Sequence, residues 1–138
     1  MNRRDFLALT AAVTLAAPLA ARAEPIAYEP GLLEERLAAG ETVFLDFKAT
    51  WCSTCKAQER VMDALKAENP DYERLITFIV VDWDTWKDDI ITAEMNIPRR
   101  STLVVLKGDE ELGRIVAGTG RDEIKALMDT ALAAAAPS

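Results

Sequence analysis

Histidine is absent from the 138 residues of this chain, and cysteine occurs only twice. The missing histidine removes the commonest general base in proteins, which excludes hydrolytic sites of the Ser–His and Cys–His kinds. A tetrahedral zinc site needs four ligands, usually cysteine and histidine, and two cysteines alone do not supply them. We therefore expect no bound metal, and nothing in the sequence indicates a cofactor.

Basic residues are also few, because 16 lysines and arginines are set against 23 aspartates and glutamates, for a formal net charge of −7. This balance argues against a nucleic-acid-binding surface, which needs a basic face. Half of the residues are hydrophobic and 28% are charged, as in ordinary globular proteins. The length indicates one folded domain.

The N-terminal segment has the pattern of an export signal. Arg3 and Arg4 precede a run without charge from Phe6 to Ala21, and Ala21 and Ala23 then place small residues where a signal peptidase cleaves. The paired arginines followed by Asp5, Phe6 and Leu7 resemble the twin-arginine signal. We predict a signal peptide at residues 1–23, a domain at residues 24–138 and a periplasmic protein; the alternatives are general export and an uncleaved membrane anchor.

The two cysteines, Cys52 and Cys55, are separated by two residues at a junction between a strand-like and a helix-like pattern. This placement is typical of a thiol–disulfide redox site. The alternative is a structural disulfide, but a bridge that closes so short a loop contributes only about 2 kcal/mol. The spacing therefore favours redox chemistry over a structural cross-link.

Hydrophobic periodicity along residues 24–138 predicts an α/β fold with a mixed central sheet flanked by helices. Apolar residues on both sides of the strand at residues 42–48 indicate a strand buried on both faces. Asp84 or Thr85 is expected to cap the helix that carries Ile90, Ile91 and Met95. The predicted order is a strand at 26–28, a helix at 31–39, a strand at 42–48, a helix at 53–67, a strand at 76–82, a helix beyond 84, a hairpin of strands at 102–106 and 112–117, and a helix at 121–135.

Four short segments together resemble the thioredoxin family, and the resemblance covers essentially all of residues 24–138. They are Leu45-Asp46-Phe47, Trp51-Cys52, Cys55-Lys56 and the hairpin that begins at Thr102-Leu103. The resemblance implies a thioredoxin-like fold and a thiol–disulfide oxidoreductase that acts, as a monomer, on disulfide-containing proteins.

The two cysteines are expected to have different roles. Cys52 falls at the N-terminus of a helix, where the dipole and unpaired amides favour a thiolate, so it is expected to attack a substrate disulfide. Cys55 is one turn further into the helix and is expected to be less exposed, so it should resolve the mixed disulfide. The family assigns the same roles, and it places a buried acid at Asp46 that helps Cys55 to lose its proton. The alternative for Asp46 is an ordinary charge at the end of a strand.

Glu59 lies four residues after Cys55 and therefore on the same face of the predicted helix. The periplasmic thioredoxin-like domain of the membrane reductase DsbD is similar in having acids at the positions of both Asp46 and Glu59. That resemblance implies that the two carboxylates raise the pKa of Cys52 and hold its thiol protonated until a partner docks. The alternative for Glu59 is an ordinary solvated charge on a helix.

Aligned on Thr102-Leu103, Ser101 stands where the family has a cis-proline, and the nearest proline, Pro98, lies three residues earlier. Either Ser101 replaces that proline, or a short insertion has displaced it. A cis bond before serine costs about 3–4 kcal/mol, so a trans Arg100–Ser101 bond is expected. The resemblance implies that Trp51, Arg100 and Ser101 bind substrate. The adjacent basic pair, Arg99 and Arg100, suggests an acidic partner, and the alternative is a solvated basic loop.

These observations predict an exported reductase of protein disulfides that receives electrons from a membrane donor. The typical periplasmic oxidase of this fold carries a large helical insertion, for which the 115 residues left after removal of residues 1–23 from 138 have no room. The alternative is a non-enzymatic metal-handling or docking module on the same scaffold, in which a soft metal binds Cys52 and Cys55.

Overall fold

A computed structural model describes residues 24–137, so the predicted signal peptide at residues 1–23 lies outside the described residues. One sheet crosses this part of the chain, in the strand order β1-β3-β2-β4-β5. Strands β1, β3 and β2 are parallel, whereas β4 is antiparallel to β2 and β5 is antiparallel to β4. The mixed sheet predicted from the sequence is confirmed. The strands are β1 (Ile26–Ala27), β2 (Thr42–Lys48), β3 (Thr77–Asp82), β4 (Thr102–Lys107) and β5 (Glu110–Val116).

Three longer helices and three short ones accompany this sheet in residues 24–137. The first, second and last agree with the predicted helices to within one residue at each end. Over the same residues, no helix combines the length and apolarity that crossing a bilayer requires. The helices are α1 (Leu32–Ala38), α2 (Ser53–Glu68), α3 (Asp71–Leu75), α4 (Trp83–Trp86), α5 (Ile90–Glu94) and α6 (Arg121–Ala135).

Helix α3 was not predicted, because Asn69 and Pro70 were interpreted only as the end of α2. Pro70 instead occupies the N-cap position of the new helix, with φ −60°. The fixed φ of proline and its missing N–H suit the start of a helix. The Asn69 side chain accepts a hydrogen bond from the Asp71 N–H at 3.1 Å. The same two residues therefore end one helix and begin the next.

The single helix predicted after β3 is wrong, because the chain forms α4 and α5 there. Asp82 occupies the N-cap position of α4, so neither Asp84 nor Thr85 caps it. The Asp89 carboxylate accepts the Ile91 N–H at 3.3 Å and begins α5, and Met95 lies just past the end of that helix. A second cap signal inside the segment thus divides it. Strand β5 also begins two residues earlier than predicted.

Strand β2 is buried on both faces, as the sequence predicted. Val43, Leu45 and Phe47 are fully buried in the cluster that contains β3 residues. Phe44 lies in the other cluster, together with residues of α2 and α6. Side chains two positions apart on a strand share a face, so Asp46 lies on the same side of the sheet as Phe44. The strand thereby carries a carboxyl group into the interior on the side of α2.

Candidate active site at the N-terminus of helix α2

Cys52 and Cys55 form a disulfide at the N-terminus of α2, with their Cα atoms 5.2 Å apart. Cys52 is the N-cap residue, and its sulfur accepts a hydrogen bond from the Cys55 N–H at 3.1 Å. Serine and aspartate normally accept this hydrogen bond with a side-chain oxygen. An accepting sulfur at this position gains from the helix dipole when it is negatively charged. The local structure therefore favours a thiolate at Cys52.

The two cysteines are equally buried, each with 2% of its surface exposed. Ala49 and Trp83 pack against them. The expectation that Cys52 is the more exposed cysteine is therefore wrong in this disulfide form, because the chain around the motif covers both residues. What distinguishes Cys52 is its place at the helix N-cap and the amide hydrogen bond to its sulfur.

Ser101 contacts both sulfurs. Its Oγ lies 3.2 Å from the Cys52 Sγ and 3.1 Å from the Cys55 Sγ. Every peptide bond in residues 24–137 is trans, which confirms the expectation for the Arg100–Ser101 bond. Ser101 has φ +65° and no exposed surface. The structure thus places the Ser101 side chain in the interior against the disulfide, and its role in substrate binding stays a prediction.

The backbone of Ser101 is held on both sides. Its N–H donates to the Phe47 carbonyl at 2.7 Å, and its carbonyl accepts from the Ala117 N–H at 2.9 Å. The side-chain amide of Gln58, itself fully buried, donates to the carbonyls of Ser101 and Gly118, each at 3.0 Å. Gln58 was not predicted as a site residue. Its position three residues after Cys55, on the same helical face, was the available signal.

Asp46 is 7% exposed, and its Oδ1 has no hydrogen-bond partner. Burial raises the pKa of Asp46 from 3.8 to about 7; Lys48 lowers it, Glu59 raises it and Lys66 lowers it. Burial is the leading cause because a carboxylate loses its hydration in the interior. A cavity of about 70 Å³ adjoins Asp46 and is also lined by those three charged side chains. The predicted buried acid is present, next to the predicted Glu59 and next to Lys48 and Lys66, which were not predicted as site residues.

Glu59 lies at the outer part of this cavity, with 47% of its side chain exposed. Its carboxylate is 3.4 Å from the ammonium group of Lys48. Its negative charge acts on Asp46, whose pKa it raises. The two acids therefore interact electrostatically with each other, which was not predicted from the sequence. An effect of Glu59 on Cys52 stays a prediction.

Trp51 and Arg100 meet on the surface beside the disulfide. Trp51 is 56% exposed, and the guanidinium of Arg100 lies 4.5 Å from the centre of its ring. The indole N–H of Trp51 donates to both carboxylate oxygens of Asp84, at 2.9 and 3.1 Å. Asp84, expected to cap a helix, thus orients Trp51 instead. Since Trp51 precedes Cys52 and Arg100 precedes Ser101, this pair flanks the reactive sulfurs.

Comparison with known families decides the identity of this fold, because the thioredoxin family model matches residues 28–130. The chain belongs to the thioredoxin family. It is similar to Thioredoxin H2-1 of Oryza sativa subsp. japonica, with 32% identity over 88 residues, 64% of this chain and 59% of the relative. It is also similar to a thioredoxin of Echinococcus granulosus, with 32% identity over 84 residues, 61% of this chain and 73% of the relative.

Solved structures agree with this assignment. Trxlp from Edwardsiella tarda matches with a TM-score of 0.63 and 27% identity, over 77% of this chain and 96% of that chain. The thioredoxin-like fold predicted from the sequence is thus confirmed. In the sequence comparison, this chain spans about three fifths of the length of two rice thioredoxins. A Cys-x-x-Cys disulfide on this fold has the chemistry needed to exchange two electrons with thiols and disulfides.

Proposed function

We propose that this protein is an exported thiol–disulfide oxidoreductase that reduces disulfides in other proteins. The proposal is carried by the Cys52–Cys55 disulfide at the N-terminus of α2 in a domain of the thioredoxin family. The relatives are themselves named thioredoxins, which supports the same class of reaction. The alternative of a purely structural disulfide is weak, because a loop closed by residues three apart gains little stability.

The reaction begins from the reduced form. The Cys52 thiolate attacks one sulfur of a substrate disulfide and forms a mixed disulfide. The substrate S–S bond breaks, and its other sulfur leaves with the electron pair and takes a proton from solvent. The helix N-terminus and the Cys55 N–H support this step, since both favour negative charge on Cys52 before the attack.

Cys55 completes the reaction. Its thiol loses a proton, and the new thiolate attacks the Cys52 sulfur, which releases the second substrate sulfur and forms the Cys52–Cys55 disulfide. Asp46 receives the Cys55 proton in this proposal. A pKa of about 7 suits that role, because near neutral pH the carboxyl group both accepts and returns a proton. The second substrate sulfur leaves as a thiolate and takes the proton that Asp46 returns, so the substrate gains two electrons and two protons overall.

The proposed direction is reduction, and it requires a donor. Between β3 and β4 the chain forms only the short helices α4 and α5, without the large helical insertion of the typical periplasmic oxidase. Each turnover leaves Cys52 and Cys55 oxidised, so an exported protein needs a dithiol donor that delivers electrons across the membrane. The pattern of residues 1–23 supports export, with the twin-arginine route favoured by Arg3 and Arg4.

The proposed docking surface contains Trp51 and Arg100, and it is next to the disulfide. The exposed indole offers apolar contact, and the guanidinium over it offers positive charge. Asp84 fixes the ring by accepting its N–H. Such a surface suits a substrate segment that combines an apolar side chain with a carboxylate.

Trapping of a mixed disulfide tests the reaction. We expect a Cys55→Ser variant, expressed in its own cell and separated without reductant, to form bands with partner proteins that disappear on reduction. Cys52→Ser is the matched control and should trap nothing. The purified wild-type protein should also speed the reduction of insulin by dithiothreitol. Trapping by Cys52→Ser, or a wild-type protein inactive on insulin, contradicts the proposed roles.

Export has its own test. Mass spectrometry of the protein recovered from the periplasm should find a mature N-terminus at Glu24, because Ala23 ends the cleavage pattern. Replacing Arg3 and Arg4 by lysines should block export if the twin-arginine route is used. Full-length protein confined to the cytoplasm contradicts the proposal.

The second candidate is a metal-handling or docking module. The observation in its favour is that an oxygen, the Ser101 Oγ, lies against both sulfurs where the family has a proline. Within residues 24–137, no group of three or more His, Cys, Asp or Glu side chains is placed to hold a metal ion. A soft metal therefore depends on the thiolates of Cys52 and Cys55. Titration of the reduced protein with Cu(I) and Zn(II), beside the insulin assay, separates the two functions.

A further inference from the structure

We propose that the Ser101 hydroxyl is a catalytic hydrogen-bond donor that serves Cys52 and Cys55 in turn. It stabilises whichever sulfur carries negative charge during thiol–disulfide exchange. This inference rests on the proposed function and deepens it. It also replaces the role in substrate binding that the family resemblance implies for Ser101.

The geometry places one hydroxyl between two reacting atoms. The distances from the Ser101 Oγ to the sulfurs of Cys52 and Cys55 are 3.2 and 3.1 Å, so neither sulfur is favoured. A serine hydroxyl has a single hydrogen, which rotates about the Cβ–Oγ bond to the better acceptor. A thiolate is a far better acceptor than a thiol or a disulfide sulfur. The hydroxyl can therefore follow the charge without any movement of the backbone.

The surroundings of Ser101 keep its hydroxyl in place. Its N–H is bonded to Phe47, and its carbonyl is bonded to Ala117 and Gln58. With φ +65°, the residue occupies the left-handed region, which the bonds on both sides maintain. The side chain has no exposed surface, so water does not compete for the hydroxyl. A hydrogen bond to a charged sulfur is correspondingly stronger than one at the surface.

The two sulfurs differ in what else supports them. The Cys52 sulfur accepts the Cys55 N–H at 3.1 Å in addition to the hydroxyl. The hydrogen bond that the structure shows to the Cys55 sulfur is the one from Ser101. When Cys52 attacks, two donors share its charge. When Cys55 becomes the thiolate in the resolving step, it depends more heavily on the serine. We therefore expect Ser101 to matter more for resolution than for attack.

No proton leaves the serine in either step. Before the attack, the hydroxyl hydrogen points to the Cys52 thiolate. Once the mixed disulfide has formed, the thiol proton of Cys55 passes to Asp46, and the hydroxyl hydrogen turns to the new Cys55 thiolate. Formation of the Cys52–Cys55 bond then discharges that sulfur and expels the substrate thiolate. Electrons and protons balance as in the proposed reaction.

Acid dissociation of each thiol tests the donor directly. Cys52 is measured in a Cys55→Ala background and Cys55 in a Cys52→Ala background, by ultraviolet absorbance of the thiolate against pH. Adding Ser101→Ala to each should reduce the acid dissociation constant about tenfold, with the larger reduction for Cys55. Ser53→Ala is the matched control, because Ser53 adjoins Cys52 but is exposed. It should leave both constants unchanged.

A merely structural role for Ser101 gives a different result. Ser101→Gly also removes the hydroxyl, but glycine suits φ +65° better than alanine does. The two variants should therefore differ in stability and agree in thiol acidity. Should the alanine variant fail to fold, the glycine variant supplies the same measurement. The inference is overturned if a folded variant without the hydroxyl has unchanged dissociation constants. It is also overturned if the thiol acidity of the alanine and glycine variants differs in step with their stability.

The insulin assay keeps this inference separate from the proposed function. If the wild-type protein does not reduce insulin, the proposed function fails, and the titrations still decide whether Ser101 donates to the sulfurs. If the wild-type protein is active but the variants titrate like their parents, only the role of Ser101 fails. With both correct, Ser101→Ala in the two-cysteine protein should slow insulin reduction about tenfold.

Discussion

Two buried polar groups, the Asp46 carboxyl within strand β2 and the Ser101 hydroxyl beside that strand, differ in how completely they are hydrogen-bonded. Ser101 has partners for its N–H, its carbonyl and its hydroxyl. Asp46 keeps one oxygen without a hydrogen-bond partner and adjoins a cavity with charged walls. The first group is neutral at every pH, whereas the charge of the second depends on pH.

The difference shows how one core contains both a polar group of constant charge and a polar group whose charge changes with pH. A fully bonded neutral group adds order without a large electrostatic cost, so it can fix the positions of the two sulfurs. A carboxyl group with an unpartnered oxygen destabilises the fold when it is charged, and it is for that reason poised to bind a proton. Ser101 thus holds a hydrogen-bond donor at a fixed position beside the sulfurs, whereas Asp46 is a group that gains and loses a proton.

Among the changes at Ser101, Ser101→Pro should cause the largest loss of stability. Proline has no N–H for the Phe47 carbonyl and cannot adopt φ +65°, so the free energy of unfolding should fall by at least about 4 kcal/mol. Urea unfolding of the oxidised protein measures this loss. Ser53→Pro is the matched control, because Ser53 is the first residue of α2, where proline is accommodated. Equal stability of the two variants would show that the loop before β4 has a different conformation.

Asp46→Asn should remove the contribution of Asp46 to the pH dependence of folding stability. Because the folded pKa of about 7 exceeds the ordinary 3.8, the contribution of Asp46 to the free energy of unfolding is fully present below about pH 4. That contribution is lost as the pH rises through about 7, and the loss reaches up to about 4 kcal/mol. Unfolding of the wild type and the variant at pH 4 and pH 8.5 should therefore give curves that diverge toward alkaline pH. Parallel pH profiles contradict the raised pKa.

The same substitution should slow resolution if Asp46 receives the Cys55 proton. Asparagine cannot accept that proton, so turnover in the insulin assay should fall while the Cys52 attack rate is retained. Single-turnover kinetics separate the two steps. A slower attack with unchanged resolution would assign Asp46 to Cys52 instead.

Gln58→Leu tests how far the order around Ser101 depends on one side chain. The change leaves the carbonyls of Ser101 and Gly118 without the amide donor, which should cost about 2 kcal/mol of unfolding free energy. Arg60→Leu, on the same helix but exposed, is the control and should change stability far less. Equal free energies of unfolding in the two variants would show that the conformation of Ser101 does not depend on Gln58.

The smallest effects concern the charges around Asp46. Glu59→Gln removes a charge that raises the pKa of Asp46, and Lys48→Met removes one that lowers it. The midpoint of the pH-dependent stability should move to lower pH in the first variant and to higher pH in the second. Each substitution should change the free energy of unfolding by less than about 1 kcal/mol, since the Lys48 and Glu59 side chains are both partly exposed. Shifts in the same direction contradict the electrostatic account.

The parts of the site that the sequence predicted are those encoded by short segments. Cys52, Cys55 and Trp51 are contiguous or nearly so, and Asp46 follows from its place in a strand pattern. Gln58 and Asp84 were missed as site residues because their partners lie 43 and 33 positions away along the chain. The position of Gln58 on the helical face of Cys55 indicated that it lies near the site, but no periodicity or motif identifies a partner so far away along the chain.

The sequence by itself determined the strands and longer helices, the redox-active pair and its place at a helix N-terminus, because periodicity and capping act between residues a few positions apart. Only the tertiary structure decided that Cys52 is as buried as Cys55 and that Ser101 contacts both sulfurs. Those features depend on the antiparallel register of β2 and β4 and on the turn at φ +65° just before β4. Both arise when segments distant in the chain pack together, which is also when Asp46 loses its water and acquires its raised pKa.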